Sequence, residues 1–112
     1  MAYKLEILGH AERDIKKAFK KRKQIAPFLI SACREPAEDP RPDGYTPVER
    51  HKGLLWRITV KDAKPYYRVI YAIRDKISAV IIVAVRPRDE ETYKNIPLKD
   101  LGKKIKELEK RL

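Results

Sequence analysis

Three strand-like runs follow one another with scarcely a gap: Leu54–Lys61, Tyr66–Arg74 and Ile77–Val85. Parallel strands need a crossover of a dozen or more residues, so links as short as Asp62–Pro65 and Asp75-Lys76 dictate an antiparallel meander. In the first run Leu54, Trp56, Ile58 and Val60 share one face, with Leu55, Arg57, Thr59 and Lys61 on the other. In the second, Tyr67, Val69, Tyr71 and Ile73 oppose Tyr66, Arg68, Ile70 and Ala72. A symmetric hairpin across Asp62–Pro65 sets Thr59 opposite Arg68, with Arg57 one diagonal step away. Opposed residues point to the same side. The Trp/Tyr face is therefore core, and two arginines stand together on the other.

The flanks supply the cover. Tyr3–Leu8 alternates apolar and charged residues as a short strand. After Gly9-His10, Ala11–Lys23 reads as a helix with Ile15, Ala18 and Phe19 at helical spacing. A second helix runs through Ile25, Phe28, Leu29, Ala32 and Cys33, with Pro27 in its first turn. Prolines and glycines from Pro36 to Gly53 make Glu35–Gly53 a loop. Leu98–Leu112 is a helix with a narrow seam of Leu98, Leu101, Ile105, Leu108 and Leu112. The order is β-α-α-β-β-β-α: an α+β fold, with a mainly antiparallel sheet, an N-terminal helical hairpin and a C-terminal helix. At 112 residues the chain carries one modest core, so residues 1–112 form one domain.

Several classes are set aside by what is missing. The longest apolar run, Ile77–Val85, is interrupted by Ser78 and too short for a bilayer, and no signal segment opens the chain. A soluble, cytoplasmic protein with no membrane partner is expected. A single cysteine precludes an internal disulfide. With two separated histidines it leaves no ligand set for a metal, and no cofactor loop is present. Cys33 reads as a small core hydrophobe. His10 reads as a helix-start residue, His51 as a loop residue beside Arg50 and Lys52, and Asp89, Glu90 and Glu91 as a solvated acidic cluster.

The remaining signal is basic. Lys and Arg number 27 against 16 Asp and Glu, a net charge of +11, which points to a polyanionic partner. Arg57 and Arg68 meet on the sheet, and Arg86 and Arg88 leave its last strand. Clustered guanidinium groups make bidentate, permanently charged contacts to phosphate and stabilise a pentacovalent phosphorane. Tyr93, just beyond, is placed to stack on an exposed base. Lys52, Lys61 and Lys94 join Arg57 as candidate RNA contacts.

Tyr67-Arg68-Val69-Ile70-Tyr71 resembles the Y-R-x-[IV]-Y signature of the RelE/ParE toxin superfamily. Leu55-Trp56-Arg57-Ile58 resembles the aromatic–basic–apolar strand that precedes it there. A Pro/Gly-bearing loop, Pro40–Gly44, comes before, and a hydrophobic strand ending in Arg86-Pro87-Arg88 follows, with Tyr93 beyond. The resemblance implies a toxin of a type II toxin–antitoxin pair. In the RelE branch it implies a metal-independent endoribonuclease that cuts mRNA in the ribosomal A site. It would be neutralised by a cognate acidic antitoxin, with ribosome and mRNA as further partners. The alternatives are a ParE-like gyrase inhibitor that acts by binding, or an inactive RNA-binding relative.

By the same resemblance the catalytic set is Arg57, Arg68, Tyr93 and one of Arg86 and Arg88. Thr59 departs from the pattern, since such enzymes often carry a second lysine there; Lys61 and Lys64 stand nearest to replace it. Arginine is a poor proton carrier, which leaves Lys61, Lys64 or Tyr93 as the base. Leu98, Leu101, Ile105 and Leu108 form the expected antitoxin-binding seam, with docking on the chain's own sheet as the competing role.

Overall fold

The computed structural model describes residues 2–64, 66–89 and 92–111. Pro65 of the hairpin link, Glu90 and Glu91 of the acidic cluster, and Leu112 of the seam lie outside the described residues. The chain runs β1 (Lys4–Ile7), α1 (Gly9–Lys21), α2 (Ala26–Glu38), β2 (Thr46–Pro47), β3 (Trp56–Val60), β4 (Tyr67–Arg74), β5 (Ala79–Pro87) and α3 (Leu98–Lys110). These strands form one sheet in the order β1-β5-β4-β3-β2. β1 pairs parallel with β5, and the other pairings are antiparallel. Among the described residues no helix is long and apolar enough to cross a membrane.

The meander and its register are as expected: Thr59 faces Arg68, and Arg57 faces Ile70. β5 is buried on both faces from Ala79 to Val85, which is why it reads as a continuous apolar run rather than an alternating one. One face packs Ile58, Val60, Tyr67, Val69 and Tyr71 against Leu29, Ala32 and Cys33 of α2 and Ala11 and Ala18 of α1. The opposite face carries a second core, where Leu55, Ile70, Ala72, Ile81 and Val83 pack against Leu101 and Leu108 of α3. α3 covers Ile70 and Ala72. Arg68, one step beyond Ile70 on that face, is left half-buried.

Several boundaries differ from the sequence reading. α1 ends at Lys21, because Arg22 is extended (φ −150°) and Lys23–Ile25 forms a separate 3-10 turn. α2 runs through Pro36 to Glu38. The proline lacks an N–H for the helix, but its ring is buried, and the Ala37 carbonyl beyond it accepts the Tyr3 N–H at 2.7 Å. β5 starts at Ala79, since Asp75–Ile77 is a 3-10 turn that closes at Ser78 with φ 48°. Phe19 and Phe28, expected on buried faces, are 47% and 45% exposed.

The long loop is tied down. Tyr71 donates its hydroxyl proton to the Pro40 carbonyl at 2.7 Å, and Arg41 forks onto Asp75 with Nη2 2.8 Å from Oδ2. β2 then adds an edge strand to β3, pairing Pro47 with Trp56. A strand this short has no periodicity to read, and an edge position tolerates its proline. The 3-10 turn Glu49–His51 follows, and the His51 carbonyl accepts the N–H groups of both Leu54 and Leu55. This fixes the segment from Thr46 to Lys52 beside the arginine-bearing face.

Candidate functional site

A cleft of about 710 Å³ opens between that segment and the sheet. Arg57 reaches it from β3, Arg68 from β4, Tyr93 from the turn before α3, and Arg50, His51 and Lys52 from the far wall. Among the described residues, four cationic side chains line it against one carboxylate, Glu49. Arg68 Nη1 donates to the Tyr93 hydroxyl at 2.7 Å. Arg68 Nε is buried with no hydrogen-bond partner among the described residues. A guanidinium withdrawn from water in this way interacts more strongly with an anion than an exposed one. A second, smaller cleft adjoins at His51 and Tyr93 and takes in Lys94.

The expected site residues therefore separate. Arg57, Arg68, Tyr93 and Lys52 share the cleft, and Lys94 borders its extension. Lys61 and Lys64 are exposed in the β3–β4 link and do not line it. Arg88 is exposed, and its backbone N–H donates to the Tyr66 carbonyl at 2.7 Å. Arg86 stands opposite Arg68 in the ladder, yet its guanidinium leaves the sheet face. Nη2 lies 2.7 Å from His10 Nε2, and Nη1 and Nη2 donate to the carbonyls of Thr92, Lys94 and Asn95.

His51 and Arg50 are cleft residues that the sequence placed in the Glu35–Gly53 loop with no site role. The visible signal was their place in a basic run, Arg50-His51-Lys52, just before the β3 strand. The C-terminal seam divides too: Leu101 and Leu108 are 1% and 4% exposed beneath the sheet, Ile105 packs beside them, and Leu98 is 39% exposed. Three of the four seam residues thus have a partner within the chain.

The family model that describes the ParE toxin of the type II toxin–antitoxin system parDE matches residues 5–92. This chain belongs to the RelE/ParE superfamily of type II toxins. No curated protein matches its sequence. Among solved structures it is similar to a free-state arginine double mutant of Escherichia coli toxin RelE, at 23% identity and a TM-score of 0.63. That match covers 88% of this chain and 98% of the other. The toxin–antitoxin complex RelBE2 of Mycobacterium tuberculosis matches at 20% identity and TM-score 0.61, over 79% of this chain and 93% of that one. The archaeal RelE–RelB complex of Pyrococcus horikoshii matches at 19% and 0.59, over 80% and 99%. These structures establish the RelE fold for the superfamily member described here.

Proposed function

We propose that this toxin is a ribosome-dependent endoribonuclease that cuts mRNA by attack of a ribose 2′-OH on the adjacent phosphate. The observation that carries the reading is the Arg68–Tyr93 pair, set with Arg57 and His51 in one cationic cleft. The scissile phosphate binds between Arg57 and Arg68, whose guanidinium groups stabilise the dianionic phosphorane better than the ground-state monoanion. His51 is the imidazole of that cleft and the side-chain class suited to proton transfer near neutrality. It accepts the 2′-OH proton as O2′ bonds to phosphorus. The P–O5′ bond breaks with its electrons on O5′, which takes a proton from water. The products are a 2′,3′-cyclic phosphate and a free 5′-OH.

Orientation of the message by the ribosome supplies much of the barrier reduction, because a cleft so rich in arginine is poor in proton carriers. The same charge favours an acidic antitoxin as the neutralising partner. Two of the similar RelE structures are toxin–antitoxin complexes, and this chain's net charge of +11 calls for a partner of opposite sign.

A second reading has its own support: the matching family model is described for ParE, and Thr59 stands where RelE-like enzymes often carry a lysine. On that reading the protein inhibits DNA gyrase by binding. Primer extension on a translated message, run beside a gyrase supercoiling assay, separates the two. Cleavage within translated codons with supercoiling untouched is expected. Blocked supercoiling with an intact message would replace the ribonuclease reading.

A further inference from the structure

We propose that Arg86 is a positioning residue that couples the start of α1 to the Arg68–Tyr93 pair, rather than a contact to RNA. Its guanidinium occupies the gap between α1 and the turn that carries Tyr93. On one side, Nη2 lies 2.7 Å from His10 Nε2 and Nε lies 3.8 Å from Asp14 Oδ2. Arginine has donors only, so His10 Nε2 is the acceptor in that contact. On the other side, Nη1 donates to the Thr92 carbonyl at 3.2 Å and to the Lys94 carbonyl, and Nη2 to the Asn95 carbonyl at 3.3 Å. The carbonyls flanking Tyr93 are thus gathered onto one planar, charged group.

The edge of the sheet explains why this strut exists. β1 stops pairing with β5 at Ile82, where the Leu8 N–H makes the last contact. Beyond it the β5 edge has no strand beside it among the described residues, and an unpaired edge group must find another partner. Asp14 provides one, accepting the Val85 N–H on Oδ2 at 3.0 Å. The same carboxylate oxygen draws Arg86 toward α1. From there the arginine spans to a turn that Thr92 also fixes, 2% exposed with its hydroxyl 2.7 Å from the Pro87 carbonyl. Asn95 holds the turn's left-handed position at φ 53°, which asparagine tolerates better than most residues. Tyr93 projects from this framework to take the Arg68 bond. His10 and Asp14 line a separate cleft, away from the one that holds Arg57 and Arg68.

The inference rests on the ribonuclease reading for its effect on rate, and its structural half is measurable without any activity. Hydrogen exchange on full-length protein should show the 92–95 amides opening about tenfold faster in Arg86→Gln. In ribosome-bound cleavage the same variant should lose about 10–100-fold in kcat, the scale of a misplaced catalytic group, with KM nearly unchanged. Arg86→Lys, which restores a donor to the carbonyls, should recover part of both. His10→Ala should lower kcat in the same sense although His10 lies outside the RNA cleft. In a Tyr93→Phe background, Arg86→Gln should cost less than about threefold more, because the pathway through Tyr93 is already cut. Should Arg86→Gln melt early, the His10→Ala and Arg86→Lys arms carry the same comparison. Full additivity with Tyr93→Phe, or unchanged exchange in the 92–95 turn, would overturn the positioning role and make Arg86 a direct contact. If the parental protein cuts no message while exchange responds as expected, the ribonuclease reading fails and the strut stands.

Discussion

Arg68 and Tyr93 are joined by a hydrogen bond of 2.7 Å from guanidinium Nη1 to phenolic oxygen, although one sits on β4 and the other on the turn before α3. The bond leaves the Tyr93 hydroxyl proton available and orients the arginine toward the cleft. Arg68→Ala should fold, since the side chain points away from Tyr67, Val69 and Tyr71, and should lose about 10²–10³ in cleavage rate. Arg68→Lys should recover only part, because a point charge cannot reproduce the fork. Single-turnover cleavage alongside thermal melting checks this. Parental cutting by folded Arg68→Ala would remove the residue from the mechanism.

His51 should govern the pH dependence. A general base works only when deprotonated, so cleavage should show an acid limb, falling as pH drops and the base takes up its proton. His51→Ala should cut about 10²-fold more slowly and lose that acid limb. Rate measurements from about pH 5.5 to 8 decide it. An unchanged acid limb in the variant assigns the proton to another group.

Local pattern and long-range geometry were unequally legible. The Thr59–Arg68 register followed from hairpin symmetry and the period of a strand alone, and the structure has it. The path of Arg86 did not follow. A register shift at Ile70/Tyr71 sets Ile70 opposite Ala84 and Tyr71 opposite Ile82, so Val83 is an extra residue that breaks the alternation along β5. Beyond that, two of the arginine's partners, His10 and Asp14, come from α1, more than seventy residues earlier. The wall that carries His51 was hidden for another reason. Its order comes from β2 and a 3-10 turn, both too short to leave a periodic trace.

The C-terminal helix should prove structural before it proves sticky. Leu101 is 1% exposed on the sheet whereas Leu98 is 39% exposed. Leu101→Ala should therefore cost about 2–5 kcal/mol of stability, as buried leucine truncations do, and Leu98→Ala less than about 0.5 kcal/mol. Chemical denaturation of each variant measures both. Equal, small losses would show that α3 is not anchored through its seam.

Cys33 should be inert in the folded protein. Burial among α2 and sheet side chains pushes its thiol up to about 12, so almost no thiolate is present at neutral pH. A thiol reagent should react only as fast as the protein opens, and in denaturant within seconds. Rapid labelling of native protein would contradict that burial.

Asp75 should add an acid-sensitive increment of stability. Arg41, with Nη2 2.8 Å from Oδ2, and the Tyr3 hydroxyl, 2.7 Å from Oδ1, hold its carboxyl below the usual range. A carboxylate whose folded value is depressed stabilises the fold above its unfolded value, and loses that contribution as pH falls through the folded one. Asp75→Asn should therefore melt below the parental protein at pH 7, with the gap closing as pH falls through the depressed carboxyl value. The pair is exposed, so the gap should also shrink as salt rises. Melting curves at three pH values and two salt concentrations follow both trends. A gap that persists in acid would mean that Asp75 acts through uncharged hydrogen bonding, with the carboxylate charge irrelevant to holding the loop at Arg41.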